Sequence, residues 1–213
     1  GVEKMSFHWE ADLDRSARSV LAIRPLLWVN DWPVAGSSFK AGVYEISSVR
    51  RGYALELAVD FVRQQIPRRG WWEESDEPEV TYPNQTLEDV AGTWPEGEIP
   101  ARAGDWMNRP HQRWTVTPVP EAGGYLGGQY CTIQIEGTDR VLAATDDAEV
   151  VTFPAYTGAP EQLWRIEQLT DGTWRLSPKS LPDYVLTCIA DSTPTLAKYN
   201  FESDNCKWNF IKK

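Results

Sequence analysis

Positive charge is the first thing this sequence is short of. Its 21 lysines and arginines are outnumbered by 31 aspartates and glutamates, for a formal charge of −10. Nucleic-acid binding needs clustered cations against backbone phosphates, so that partner class is excluded, and an anionic membrane surface is disfavoured for the same reason. Long apolar runs are missing too. The longest near the start, "SVLAIRPLLWVN", is broken by Arg24 and Pro25. It falls short of the roughly 20 residues that span a bilayer, and no membrane insertion is expected. The amino end carries no charged, apolar and small-residue series of the kind that makes a signal peptide.

Reactive side chains are equally thin. Two histidines, His8 and His111, and three cysteines, Cys131, Cys188 and Cys206, fit no zinc-ligand spacing. An odd cysteine count at irregular intervals is no disulfide framework. A Cys188–Cys206 bridge is one option, and buried free thiols are the preferred one. There is no glycine-rich phosphate loop, no nucleophile elbow and no Cys–His constellation, so no cofactor, no metal and no catalytic residue is expected in this chain. The pairs Asp12/Asp14 and Asp146/Asp147 lie in turn-like contexts, where aspartate serves the backbone. "EESDE" (73–77) lacks the glycine-spaced ligands of a calcium loop and reads as a solvated loop. "NQT" at Asn84 is a glycosylation sequon only where the source glycosylates.

Helix signals are scarce as well, and alternating β-branched and aromatic runs take their place. "GVYEISS", "YALELAV", "RWTVTPV", "YCTIQIEG", "LWRIEQL" and "YVLTCI" are each bounded by Gly, Pro, Asp or Asn, which predicts many short strands and an all-β fold. Tryptophan is plentiful, at 11 residues. "HQRW", "EQLW" and "NCKW" end at Trp114, Trp164 and Trp208, and a period of that length marks a fold made of copies of one unit. The copies superpose from about residue 41. Each has a strand pair containing "GYALEL" (52–57), "DRVLAA" (139–144) or "DYVLTC" (183–188), then an apolar segment, then the closing tryptophan.

This pattern resembles the β-trefoil of the ricin-B-type lectins over residues 40–213. The resemblance implies six barrel strands capped by three hairpins, with the three tryptophans in a shared core. Between about residues 60 and 90 the first copy carries an extra segment, "DFVRQQIPRRGWWEESDEPEVTYPNQTLED", too long for a turn and expected to be a surface excursion or β-hairpin.

The first part, residues 1–39, does not fit the threefold pattern. "FHWEADLD", "VLAIRPLLW" and "DWPVAG" resemble the last strands of the five-bladed propeller of glycoside hydrolase family 43, especially its arabinanases. That implies a last-blade segment of a hydrolase whose catalytic carboxylates sit on blades absent here. In that family a histidine on a late strand faces a metal; His8 stands at a comparable place, though a packed or exposed histidine is the preferred reading.

The lectin resemblance also implies where a sugar would bind: an acid after the second strand, an aromatic in the apolar segment, and an Asn before the tripeptide. Superposition places Glu56, Arg102 and His111 there in the first copy. It places Ala143, Phe153 and Glu161 in the second, and Thr187, Tyr199 and Asn205 in the third. No copy is complete, and the third keeps the stacking geometry best. The candidate carbohydrate-binding residues are therefore Tyr199, Asn205, Phe153 and Glu56, with Trp106 and the insertion's Trp71 and Trp72 as further aromatic faces. Trp94 is expected to cover a junction instead. The reading as a whole is an accessory β-trefoil, secreted, periplasmic or at the cell surface, that binds plant polysaccharide of arabinan or arabinoxylan type beside an upstream propeller. Its rivals are a trefoil that only braces the propeller, and a trefoil protease inhibitor using the insertion as its loop.

Overall fold

The computed structural model describes residues 4–12, 18–35, 39–59, 64–66, 79–81, 85–122, 130–190 and 192–213. The chain opens with an antiparallel meander of β1 (Lys4–Asp12), β2 (Arg18–Val29) and β3 (Trp32–Ala35). The tight β2–β3 connection puts Asn30 at φ 49° and Asp31 at φ 60°. Both residue types tolerate that region, and two consecutive positive φ values match the twist of a two-residue hairpin. Trp28 pairs with Pro33, and Val29 with Trp32. Strand alternation therefore puts Trp28 on one face of the meander and Ile23 and Trp32 on the other, all three exposed.

From residue 42 the strands come in three sets of four. The first is β4 (Gly42–Ser48), β5 (Ala54–Leu57), then, past an insertion, β8 (Ile99–Gly104) and β9 (Trp114–Pro118). Within that insertion lie β6 (Gln64–Ile66), paired antiparallel with β7 (Glu79–Thr81), and a short helix α1 (Leu87–Ala91). The second set is β10 (Tyr130–Ile135), β11 (Val141–Ala144), β12 (Val150–Phe153) and β13 (Trp164–Gln168). The third is β14 (Trp174–Pro178), β15 (Tyr184–Ile189), β16 (Thr193–Lys198) and β17 (Trp208–Lys212). The outer strands of the sets form a ring, β4–β9–β10–β13–β14–β17, which closes because β17 pairs back onto β4. The inner strands form the hairpins β5–β8, β11–β12 and β15–β16. This is the six-stranded barrel with three hairpins that the lectin resemblance implies.

The tryptophans explain why the sets superpose. Trp114, Trp164 and Trp208 have no exposed surface. Their indole N–H groups donate to the carbonyls of Leu55, Leu142 and Leu186 at 2.8, 2.9 and 2.9 Å. Each copy thus ties its last strand to its own hairpin, and each large buried ring satisfies its one polar atom. Phe39 packs on Tyr44, Trp174 and Phe210 with ring centroids 4.7–5.1 Å apart. It joins the barrel, not the meander. Trp94 packs partly buried against the same core. Cys131, Cys188 and Cys206 are buried free thiols. Among the described residues no helix is long and apolar enough to cross a membrane.

Candidate functional site

In each copy the hairpin meets the loop that leads into the closing tryptophan, and glutamine commands that loop in the first two. Gln112 Oε1 accepts from the N–H groups of Met107 (2.9 Å) and Arg109 (3.2 Å), while its Nε2 donates to Asp105 O (2.7 Å). Gln162 accepts from the N–H and hydroxyl of Thr157 at 2.8 and 3.0 Å and donates to Ala155 O at 3.0 Å. Cys206 replaces the glutamine in the third copy, and its sulfur stands 3.6 Å from Thr187 Oγ1.

The indole bonds make Leu55, Leu142 and Leu186 equivalent, so Glu56, Ala143 and Thr187 share the acid's place as superposed. Across the hairpins Leu55 faces Ala103, Leu142 faces Thr152 and Leu186 faces Leu196. The equivalents of Phe153 are therefore Gly104 and Ala197, whereas the sequence superposition set Arg102 and Tyr199 there. Spacing counted back from the tryptophan and register counted along the hairpin diverge because the intervening loops differ in length. Tyr199 lies beyond the end of β16.

In the first copy the carboxylate is consumed internally. Glu56, 3% exposed, accepts from Arg102 Nε at 2.6 Å through Oε1 and from Gln112 Nε2 at 2.6 Å through Oε2. His111 Nε2 stands 3.5 Å from Oε2, and Arg102 is anchored further by Val59 O at 3.0 Å. A Cβ on residue 104 would come within 2.9 Å of Glu56 Oε1, so Gly104 gives the carboxylate its room. Burial alone raises the Glu56 pKa, but His111, Arg102 and Gln112 together outweigh it and hold the carboxyl below its ordinary value. Nearby, Lys213 Nζ sits 4.2 Å from the Trp106 ring centroid and 2.7 Å from Glu45 Oε2.

The third copy is covered from above. The Arg175 guanidinium lies 4.6 Å from the Tyr199 ring centroid and is held by Glu167 at 2.6 Å. Asn205 Oδ1 accepts from Arg50 Nη1 at 3.0 Å. Thr187 Oγ1 turns inward to Val185 O at 3.1 Å.

The second copy is open. Phe153, Pro154, Ala155, Thr157, Glu161 and Gln162 line a groove of about 420 Å³. Phe153 is half-buried with an apolar wall beside it, and the half-buried Glu161 carboxylate makes no hydrogen bond or ion pair among the described residues. Ala143 supplies no acid, so the copy's carboxylate comes from the tripeptide side instead. Glu161 stood in the sequence superposition at the Asn position; its promotion to the leading polar group rests on the groove. The signal in sequence was its adjacency to Gln162.

Of the remaining candidates, Trp71 and Trp72, the 73–77 acidic run and Asn84 lie outside the described residues, as does the His8 side chain. Burial pushes the Cys131 thiol up to about 12, so it carries no thiolate for nucleophilic work. Among the described residues no three His, Cys, Asp or Glu side chains gather as a metal site.

Residues 110–198 match the family described as ricin-type beta-trefoil lectin domain-like. The fold is a β-trefoil. Among solved structures, a mosquitocidal holotoxin aligns with a TM-score of 0.58 at 14% identity over 85% of this chain, which spans only 18% of that chain. ThreeFoil, a designed threefold-symmetric protein, gives 0.55 at 15% identity over 81% of this chain and 99% of its own. The Polyporus squamosus lectin, bound to a human-type influenza-binding epitope, gives 0.52 at 16% identity over 83% of this chain and 50% of its own. Such identities carry the trefoil architecture and nothing finer. No curated protein matches the chain in sequence.

Proposed function

We propose that this trefoil is a carbohydrate-binding module whose glycan seats in the second-copy groove, one sugar face on Phe153 and hydroxyls donating to Glu161. The groove carries the proposal: an exposed ring face, an uncommitted carboxylate and a loop already fixed by Gln162 need little reorganisation on binding. The ligand class is a neutral plant polysaccharide of arabinan or arabinoxylan type, met outside the cytoplasm. The enzyme context is a family-43-like propeller upstream. Two observations support that context: the strings shared with such propellers, and a meander with large apolar side chains exposed on both faces. A sheet of that composition belongs between two covering layers. The catalytic carboxylates would lie upstream, so the chain alone releases no arabinose from arabinan.

A brace without ligand is the second reading, favoured by the first and third copies, where arginines occupy the carboxylate and the ring. Affinity electrophoresis in arabinan, arabinoxylan and galactan gels separates the two. Retardation of the wild type that Phe153→Ala abolishes supports the module. Equal mobility in all three gels, with and without polymer, establishes the brace.

A further inference from the structure

A second groove, of about 630 Å³, is lined by no residue of the three hairpins' strands. The closing loop of the first copy supplies Met107, Asn108, Arg109, Pro110 and Arg113; the β10–β11 turn supplies Glu136 and Gly137; and the end of the insertion supplies Gln85, Thr86 and Leu87. The insertion is docked here by contact. Gly137 has φ 75°, and a Cβ on it would fall 2.7 Å from Leu87 Cδ2, so the turn and Leu87 are in contact and a side chain there would displace the leucine. Thr86 caps the helix, exchanging hydrogen bonds with Asp89 at 2.8 and 3.3 Å.

The groove's polar groups come as a set. Arg113 Nε lies 2.9 Å from Glu136 Oε2, each side chain about a third exposed, and neither has another side-chain partner among the described residues. The contact is an ion pair and not a hydrogen bond of Nε, and the guanidinium's outer nitrogens and the second carboxylate oxygen stand beside it as donors and acceptor. Asn108 adds an amide. Its φ of 54° is held by Gln112, whose Oε1 takes the N–H on either side of it. Met107, Leu87 and Pro110 form the apolar wall.

We infer that this groove is a second saccharide site, built by the insertion, for a neutral di- or trisaccharide stretch. The chemistry selects the class. Glu136 opposes the phosphate or carboxylate that Arg113 and the largely buried Arg109 would attract, and the two arginines repel a cation. A donor and an acceptor side by side suit adjacent hydroxyls, which give and take hydrogen bonds together, while the apolar wall suits a sugar's C–H face. The volume exceeds one sugar ring and falls in the range of small-ligand pockets. The inference deepens the proposed function but uses none of the same residues.

Two-dimensional ¹H–¹⁵N spectra of the whole chain, titrated with arabinotriose, xylotriose and galactobiose, test it. The expected result is saturable shifts at Met107, Asn108, Glu136, Gly137 and the Arg113 side chain with at least one sugar. Asn108→Gly keeps the positive φ and deletes the amide; Arg113→Met deletes the donor. Each should weaken those shifts at least tenfold while leaving shifts at Phe153–Gln162 unchanged, and unaltered indole signals of Trp114, Trp164 and Trp208 certify folding. Absence of shifts around Asn108 with all three sugars, or their persistence in both variants, overturns the second site. Phe153→Ala reports separately on the first groove, so the two readings fail independently.

Discussion

Trp164 shows how one side chain can serve both packing and polarity. It is wholly buried, and its N–H donates to Leu142 O at 2.9 Å. Trp164→Ala should cost about 3–5 kcal/mol, the range for deleting a large buried aromatic, and urea melts will measure it. A loss under about 1 kcal/mol would remove Trp164 from the barrel core. Glu56 gives a pH-dependent counterpart. Its folded pKa lies below the unfolded one, so its contribution is fully present above about pH 4.3 and is lost as pH falls through the folded value. Glu56→Gln should therefore flatten the acid limb of the stability curve below about pH 5, measured by thermal melts from pH 7 to pH 3. At neutral pH the substitution should cost about 2–3 kcal/mol, less than for a wholly buried pair because Arg102 is 34% exposed. The superposition put Glu56, Arg102 and His111 at one site, but as parts of a sugar cradle and not as an ion pair. Glu56 and Arg102 become neighbours only through the β5–β8 register, across the insertion, and a lone arginine in an apolar segment looks like a missing ring until its partner is known.

At the scale of elements, the repeats and their tryptophans were legible because a buried indole meets the equivalent carbonyl in every copy, 22 residues before it in the second and third and 59 before it in the first, where the insertion intervenes. Loop lengths answer to no such constraint, and the binding faces hang on them. Hence the third copy, with Tyr199 and Asn205, looked best furnished by spacing, while the structure opens the second. Helix α1 was not foreseen; five residues with one buried side chain, Val90, leave little periodicity to read. Its attachment is testable. Gly137→Ala places a side chain at φ 75° against Leu87 and should cost about 1–2 kcal/mol. Hydrogen exchange at Val90 and Ala91 should accelerate more than at the barrel strands, and uniform protection in the variant would show that helix and turn are not coupled.

For the molecule as a whole, the ring β4–β9–β10–β13–β14–β17 satisfies its own edges without β1–β3. A chain beginning at residue 39 should fold with a melting temperature within a few degrees of the full chain. One beginning at residue 41 loses Phe39 from its cluster with Tyr44, Trp174 and Phe210 and should be about 2–3 kcal/mol less stable. Denaturant melts of the two truncations decide whether the boundary between meander and trefoil lies before or after that ring.

The pairing of β17 with β4 has a consequence for chain order. Lys213 N–H donates to Val43 O at 2.9 Å, so the end of the third copy lies against the start of the first. Contacts in this barrel run between neighbours around a circle, and the circle does not record where the polypeptide was cut. Joining residue 213 to residue 39 through a short linker and opening the chain between Ala122 and Tyr130 would write the copies in the order two, three, one. Every strand partner within the trefoil would be retained, and the second-copy groove would remain intact.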